Sequence, residues 1–141
     1  MPFEDPFGGL LTGTMTANVE DPGGIQPPST IIQTDDAWNI VVEWSIDGVA
    51  APFLGGDWHV RVFVESIGPG FAGQVGPTVD VPLASQPPGP PRNYEATVNV
   101  AAGFLAEGTY KIVALLNYDV LGDPQEMAAF HDGPIVQLYV P

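Results

Sequence analysis

The segment LAEGTYKIVALLNY, residues 105–118, carries the clearest local pattern in this chain of 141 residues. Its last ten residues, 109–118, are rich in β-branched, aromatic and other apolar residues and follow a glycine, which predicts a β-strand. Successive side chains of a strand point to opposite faces. One face of this strand therefore carries Lys111, Val113, Leu115 and Asn117.

The same period of two recurs along the chain, and a helical period does not. In residues 38–47 every second side chain from Trp38 to Ile46 is apolar, which predicts a half-buried strand. The further strands are predicted at residues 11–20, 58–66, 78–84, 93–101 and 134–140. Seven or eight short strands at regular spacing predict an all-β fold, a single antiparallel β-sandwich.

The chain is predicted to divide into an N-terminal arm with a first strand, residues 1–27, and the sandwich itself, residues 28–141. The arm holds several apolar side chains among proline, glycine and acidic residues, which suits docking on protein better than a free tail. These side chains are Phe3, Phe7, Leu10 and Leu11. The proline-rich residues 86–91 are predicted to form a stiff connector between the two sheets.

The charge balance is unusual because basic residues are scarce. Lys and Arg number 3 against 17 Asp and Glu, which gives a formal net charge of −14. Such a surface repels phosphate backbones and anionic lipids, so nucleic acids and membrane surfaces are not expected partners. The chain has no cysteine, which excludes disulfides, thiol nucleophiles and thiolate metal sites.

No run of residues is long and apolar enough to predict a membrane span. The N-terminal segment MPFEDPFGGLLTGTM lacks the basic and apolar regions of a secretory signal. We therefore expect a chain that stays inside the cell or is exported without a cleaved signal, unless a signal has been removed. The compartment stays open.

The segment around Tyr110 resembles the corner before strand F in immunoglobulin-like and fibronectin type III-like domains. Leu105, Gly108 and Tyr110 match the Leu-x-x-Gly-x-Tyr pattern of that corner. The segments VVEWSIDG, with Trp44, and WHVRVFVE are similar to strands B and C of those domains, and the resemblance covers residues 29–141. It implies a buried tyrosine whose hydroxyl bonds to the backbone. The cysteine pair of antibody-type domains is missing, so the resemblance is to the cysteine-free relatives.

One end of such a sandwich is predicted to collect both histidines with several carboxylates, on the loops after strands B and F. The candidate ligands for calcium or zinc are Asp57, His59, His131 and Asp132. Further acids predicted on these loops are Asp47, Asp119, Asp123 and Glu126. Acidic loops are more often simply solvated, and no calcium-loop spacing is present, so the primary expectation is that no cofactor is bound.

A second candidate surface is the outer face of strands C, F and G, where apolar side chains stand beside two of the three basic residues. Its predicted members are Arg61, Phe63, Lys111, Val113, Leu115 and Tyr139. Contiguous exposed apolar patches mark interfaces. The alternatives are that a second copy, another subunit or the N-terminal arm covers this face.

The sequence does not predict an enzyme, because it contains neither a nucleophile elbow nor a phosphate-binding loop. The expected function is therefore a non-enzymatic protein–protein interaction or structural module, in an oligomer or larger assembly, or an adhesion or accessory domain. The alternative is a metal-dependent ligand- or carbohydrate-binding module, with Trp58, Tyr118 or Phe130 as a stacking platform.

Overall fold

The computed structural model describes residues 12–20, 31–47, 56–68, 70–83, 92–120 and 123–140. In these ranges the chain forms eight β-strands. They are β1 (Thr12–Glu20), β2 (Ile31–Gln33), β3 (Trp38–Asp47), β4 (Asp57–Ser66), β5 (Ala72–Pro82), β6 (Arg92–Val100), β7 (Gly108–Val120) and β8 (Asp123–Tyr139). No helix in this described part is long and apolar enough to span a membrane.

The strands form two sheets that pack as a β-sandwich. One sheet has three strands in the order β1-β3-β6, and the other has five in the order β2-β8-β7-β4-β5. All neighbours are antiparallel except β2, which pairs parallel with β8. The predicted all-β sandwich is therefore confirmed. Its strands are not purely antiparallel, because β2 runs parallel to β8. The alternation pattern did not predict β2, which has only three residues.

The apolar core lies between the sheets and receives side chains from all eight strands. Strand β3 illustrates how alternation fills the core, since the five alternate side chains from Trp38 to Ile46 are each at most 2% exposed. Fully burying one large apolar side chain contributes about 1.5–3 kcal/mol to folding. The predicted alternation thus fixes which face of the strand points inward.

Strand β1 belongs to the sandwich, since it pairs with β3 along its whole length. The first strand predicted within residues 1–27 lies in the three-stranded sheet. The rest of the predicted arm, residues 1–11 and 21–27, lies outside the described residues, as does the proline-rich connector 86–91.

The last strand begins eleven residues before the predicted start at residue 134, so most of the expected loop is strand. Strand β8 pairs with β7 as a long hairpin from Asp123 onward. Gly133 and Pro134 together lie opposite Ile112, because the register shifts between Lys111 and Val113. Proline cannot donate to the ladder, so it is accommodated at a β-bulge. The Gly-Pro pair therefore marks a bulge inside the strand.

Strand β5 is an edge strand, as its proline predicts, but it starts six residues earlier than the alternation indicates. Its register with β4 shifts between Val60 and Val62. At this shift Gly76 has a φ of +68°, and a Cβ atom there would lie 2.6 Å from the Asn99 carbonyl oxygen in β6. The edges of the two sheets therefore meet at Gly76.

Candidate interaction surface

The corner before β7 has the geometry that the Leu-x-x-Gly-x-Tyr pattern predicts. Tyr110 is 2% exposed, and its hydroxyl donates a hydrogen bond of 2.9 Å to the carbonyl oxygen of Ala106. Leu105 and Trp44 are buried in the same core. Gly108 begins β7 with an extended backbone, at a φ of 158°. Leu105, Trp44 and Tyr110 thus belong to the buried core, and Gly108 lies at the corner where β7 begins.

The β4–β7–β8 face is the outward side of the three adjacent strands in the five-stranded sheet. Register places its side chains in cross-strand pairs: Phe63 opposite Val113, and Arg61 opposite Leu115. Residues directly opposite each other in antiparallel strands have Cβ atoms about 4.5–5.5 Å apart, so these side chains adjoin. The structure thus brings together five of the six residues predicted for this face: Arg61, Phe63, Lys111, Val113 and Leu115.

Strand β8 extends the apolar part of this face with two residues that the sequence prediction missed. Phe130 lies opposite Leu115 and is 44% exposed, while Ile135 lies opposite Lys111 and is 54% exposed. Tyr139, the sixth predicted residue, is also exposed but stands further along β8, paired with Gln33 of β2. The alternation of Ile135 with buried Val136 is the signal that could have found Ile135.

The same face holds both accessible Lys and Arg side chains. The Lys111 ammonium lies 3.4 Å from an Asp132 carboxylate oxygen, and Arg61 donates to Asn117 Oδ1 at 3.3 Å. The third basic residue, Arg92, is only 3% exposed. Since the chain has three Lys and Arg in all, its accessible Lys and Arg charge is confined to the β4–β7–β8 face.

Arg92 is a buried core residue that the sequence prediction did not single out. Its guanidinium donates to the carbonyl oxygen of Leu83 and lies 5.9 Å from the centroid of the Tyr94 ring. The Tyr94 hydroxyl donates to the same carbonyl at 2.9 Å. Burial raises the pKa of Tyr94, while the Arg92 charge opposes this rise. Arg92 therefore belongs to the buried interior, where its hydrogen bond holds Leu83, the residue that follows β5.

The structure does not bring the four candidate metal ligands together. Asp57 and His59 lie on β4, with His59 opposite Asn117 of β7. His131 lies on β8, opposite Ala114. Ala114 and Asn117 are three positions apart, which corresponds to about 10 Å along the sheet at about 3.3 Å per residue. Strand β7 also separates β4 from β8. The long hairpin thus moves His131 away from the end where a loop was expected.

These side chains have other contacts instead. His59 Nδ1 bonds to the Asp80 carboxylate on β5, and Asp132 pairs with Lys111. Among the described residues no group of three or more His, Cys, Asp or Glu side chains could hold a metal ion. Of the predicted stacking residues, Trp58 and Tyr118 are buried in an aromatic cluster with Trp44 and Tyr94. Phe130 alone of the three is exposed.

The outer side of the three-stranded sheet carries a groove of about 450 Å³, here called the polar groove. Its outward side chains come from alternate positions on β1, β3 and β6: Thr14, Thr16, Glu43, Ser45, Asn93 and Glu95. Thr14 and Ser45 hydroxyls are hydrogen bonded at 2.8 Å. Glu43 lies directly opposite Glu95, and both are exposed. The sequence pattern predicted no role for this face.

No protein-family model and no curated protein matches the chain. Solved structures do match its fold. A β-glucosidase from Erythrobacter marinus aligns at a TM-score of 0.55 and 12% identity, over 92% of this chain and 16% of the enzyme. A Listeria innocua β-glucosidase in complex with glucose aligns at a TM-score of 0.50 and 10% identity, over 93% and 17%.

A third match is of similar size to this chain. The CARDB domain of a Pyrococcus furiosus protein, in complex with di-metal ions, aligns at a TM-score of 0.51 and 17% identity. The alignment covers 92% of this chain and 96% of that domain, whereas the chain spans only about a sixth of the β-glucosidases. At these identities the likeness shows the fold alone: this chain is a two-sheet β-sandwich of the kind found in these structures.

Proposed function

We propose that this chain is an immunoglobulin-like, non-enzymatic module that binds protein through the β4–β7–β8 face. The strand order supports the immunoglobulin-like topology, because β3 lies between β1 and β6, and β7 lies between β4 and β8. The buried Tyr110 corner and the likeness in size and fold to the CARDB domain add support. Since one fold serves many functions, the function is argued from the surface.

The observation that carries this proposal is the contrast between the two outer faces of the same sandwich. The three-stranded sheet turns threonine, asparagine, serine and glutamate outward, which is the usual composition of a solvated sheet face. The five-stranded sheet turns two directly opposed apolar pairs outward, Phe63 with Val113 and Leu115 with Phe130, and it turns Ile135 outward opposite Lys111. Burying apolar surface against a partner contributes about 25 cal/mol per Å².

The alternatives have weaker support. The β-glucosidases contain a similar sandwich as a small part of a much longer chain, so their activity cannot be transferred to this one. The CARDB domain was crystallised with di-metal ions, but only its fold is comparable at 17% identity. A metal-dependent binding module therefore stays a prediction that no observation on the described residues favours.

A double substitution, Phe63→Asp with Leu115→Asp, tests the proposal. Both side chains are half-buried on the outer face, so the monomer should stay folded, while two desolvated carboxylates should abolish association. Light scattering during size-exclusion chromatography measures the mass of wild type and variant over a range of concentrations. Circular dichroism and the thermal unfolding midpoint report whether the variant is folded.

A matched control places the same chemistry elsewhere. Phe71 and Phe104 are exposed apolar residues that pack on each other in the connections before β5 and β7, outside the three strands of the β4–β7–β8 face. Phe71→Asp with Phe104→Asp should leave association unchanged. If wild type and the Phe63/Leu115 variant show the same mass at every concentration, the β4–β7–β8 face does not bind protein and the proposal is wrong.

A further inference from the structure

We infer that the protein bound by the β4–β7–β8 face is a second copy of this chain, docked through its own β4–β7–β8 face about a two-fold axis. The inference rests on the proposed function and names the partner of that surface. In a two-fold contact both copies present the same surface, so each group on the face must suit another group of that face. The strand register of this face meets that requirement.

The face consists of three cross-strand rows, each with one side chain from β4, one from β7 and one from β8. The middle row is Phe63, Val113 and Asp132. Two residues before it along β4 lies the row Arg61, Leu115 and Phe130. Two residues after it along β4 lies the row Glu65, Lys111 and Ile135. The two outer rows are therefore equally far from the middle row.

A two-fold axis along the middle row, perpendicular to the strands, places each outer row of one copy over the other outer row of the second copy. Arg61 then faces Glu65 of the second copy, and Phe130 faces Ile135 of the second copy, each twice by symmetry. The strands of the two copies run antiparallel, within the range of directions that packed sheets adopt. Sheets packed face to face are about 10 Å apart, a gap that an arginine and a glutamate side chain span together.

The charge of the face also favours a contact between two copies. Its two cations, Arg61 and Lys111, balance its two exposed acids, Glu65 and Asp132, so the three rows carry no net charge. The whole chain carries −14, and its third basic residue, Arg92, is buried. A contact that left this face out would therefore join two surfaces without an accessible Lys or Arg side chain.

On the axis itself each residue of the middle row meets its own counterpart. Phe63 and Val113 form an apolar centre there, and the ion pairs lie around it, as in other protein interfaces. Asp132 meets Asp132 of the second copy, which is unfavourable, but Lys111 of each copy lies 3.4 Å from its own Asp132 and offsets that repulsion. The aliphatic stem of Lys111 lies under Leu115 of the second copy.

The contact is small, because only nine side chains form the three rows. Three strands about 4.8 Å apart, each contributing about five residues of 3.3 Å, give a patch of roughly 15 by 17 Å. Stable interfaces bury about 800 Å² on each partner. We therefore expect a weak dimer that forms and dissociates rapidly, so its mass must be measured over a wide range of concentrations.

The pair Arg61 and Glu65 gives the test. The two side chains are four residues apart on one strand, about 13 Å, so any coupling between them must act across the interface. Arg61→Glu alone and Glu65→Arg alone each place like charges opposite each other twice, and each should weaken the dimer about tenfold or more. Sedimentation velocity at about 0.15 M salt, where the screening length is about 8 Å, measures the dissociation constants.

Mixing the two single variants should restore association as a 1:1 dimer, because each copy then faces charges of the opposite sign. The double variant, Arg61→Glu with Glu65→Arg, should dimerise by itself as wild type does. The matched control is Glu95→Arg, the same substitution at an exposed position on the other sheet. This control should dimerise at least as strongly as wild type, since it lowers the net negative charge.

Circular dichroism reports whether each variant is folded. Should Glu65→Arg unfold the chain, Arg61→Gln replaces it, and Arg61→Glu should then weaken the dimer more than Arg61→Gln does. Association that the Phe63/Leu115 variant loses but Arg61→Glu keeps at wild-type strength would overturn the inference and leave the proposed function standing. The same holds if the two single variants lose association and their mixture does not regain it. A wild type that stays monomeric at every concentration would overturn both.

Discussion

At the scale of single residues, the buried polar groups show how this fold places hydrogen bonds where water is absent. Tyr110 is buried, yet its hydroxyl reaches the Ala106 carbonyl four residues earlier in the chain. Tyr94 and Arg92 share the Leu83 carbonyl in the same way at another part of the core. A buried polar group without a partner costs free energy, so each of these contacts fixes the position of a chain segment.

Tyr110→Phe should lower the free energy of unfolding by about 1 kcal/mol, because it removes one hydrogen bond and leaves the Ala106 carbonyl without this donor. Urea unfolding followed by fluorescence measures the change. Tyr139→Phe is the control, since Tyr139 is exposed on β8. The corner would have no stabilising role if both substitutions cost the same.

At the scale of strands, the contact between the two sheet edges depends on a glycine. Gly76 adopts a φ of +68°, and an added Cβ would lie 2.6 Å from both the Asn99 carbonyl oxygen and Val98 Cγ1. The positive φ disfavours residues other than glycine, and the short distances mean that any larger side chain would push β5 and β6 apart. The position therefore combines a conformational and a steric requirement.

Gly76→Ala should cost about 1–2 kcal/mol for the left-handed backbone and about 1–3 kcal/mol more for the steric overlap. Gly103→Ala separates these two effects, because Gly103 has a φ of +76° but no atom within 4 Å of an added Cβ. Chemical unfolding of both variants gives the difference. Equal costs would mean that the sheet edges do not meet at Gly76.

The sequence predicted the strands well where alternation was regular. Strands β3, β4 and β6 follow the expected pattern, because each buries one face completely and solvates much of the other. It failed at β8, since the bulge at Gly133 and Pro134 changes the phase of the alternation. It also failed at β2, which is too short to show a period.

The candidate surface could be predicted only in part for the same reason. Phe63, Val113 and Leu115 lie on strands with regular alternation, so their shared face follows from the strand order. Phe130 was assigned to a loop, and its place opposite Leu115 follows only from the long hairpin. The burial of Arg92 could not be foreseen, because a charged residue at a strand end is usually exposed.

At the scale of the whole molecule, the sandwich presents two different outer faces. The three-stranded sheet turns polar and acidic side chains outward, whereas the β4–β7–β8 face combines apolar side chains with the chain's accessible Lys and Arg and with the exposed acids Glu65 and Asp132. A net charge of −14 keeps copies apart at long range, but salt screens that repulsion over about 8–10 Å. Under the proposed function, contacts at the β4–β7–β8 face then decide association.

The most direct test measures whether the β4–β7–β8 face becomes inaccessible when the protein associates. The chain has no cysteine, so Val113→Cys places a single thiol on the face, and Phe104→Cys places one at an exposed position between β6 and β7. Thiol labelling rates are measured over a range of protein concentrations. We predict that labelling at position 113 slows as concentration rises while labelling at position 104 does not. Equal rates at position 113 across all concentrations would contradict the account.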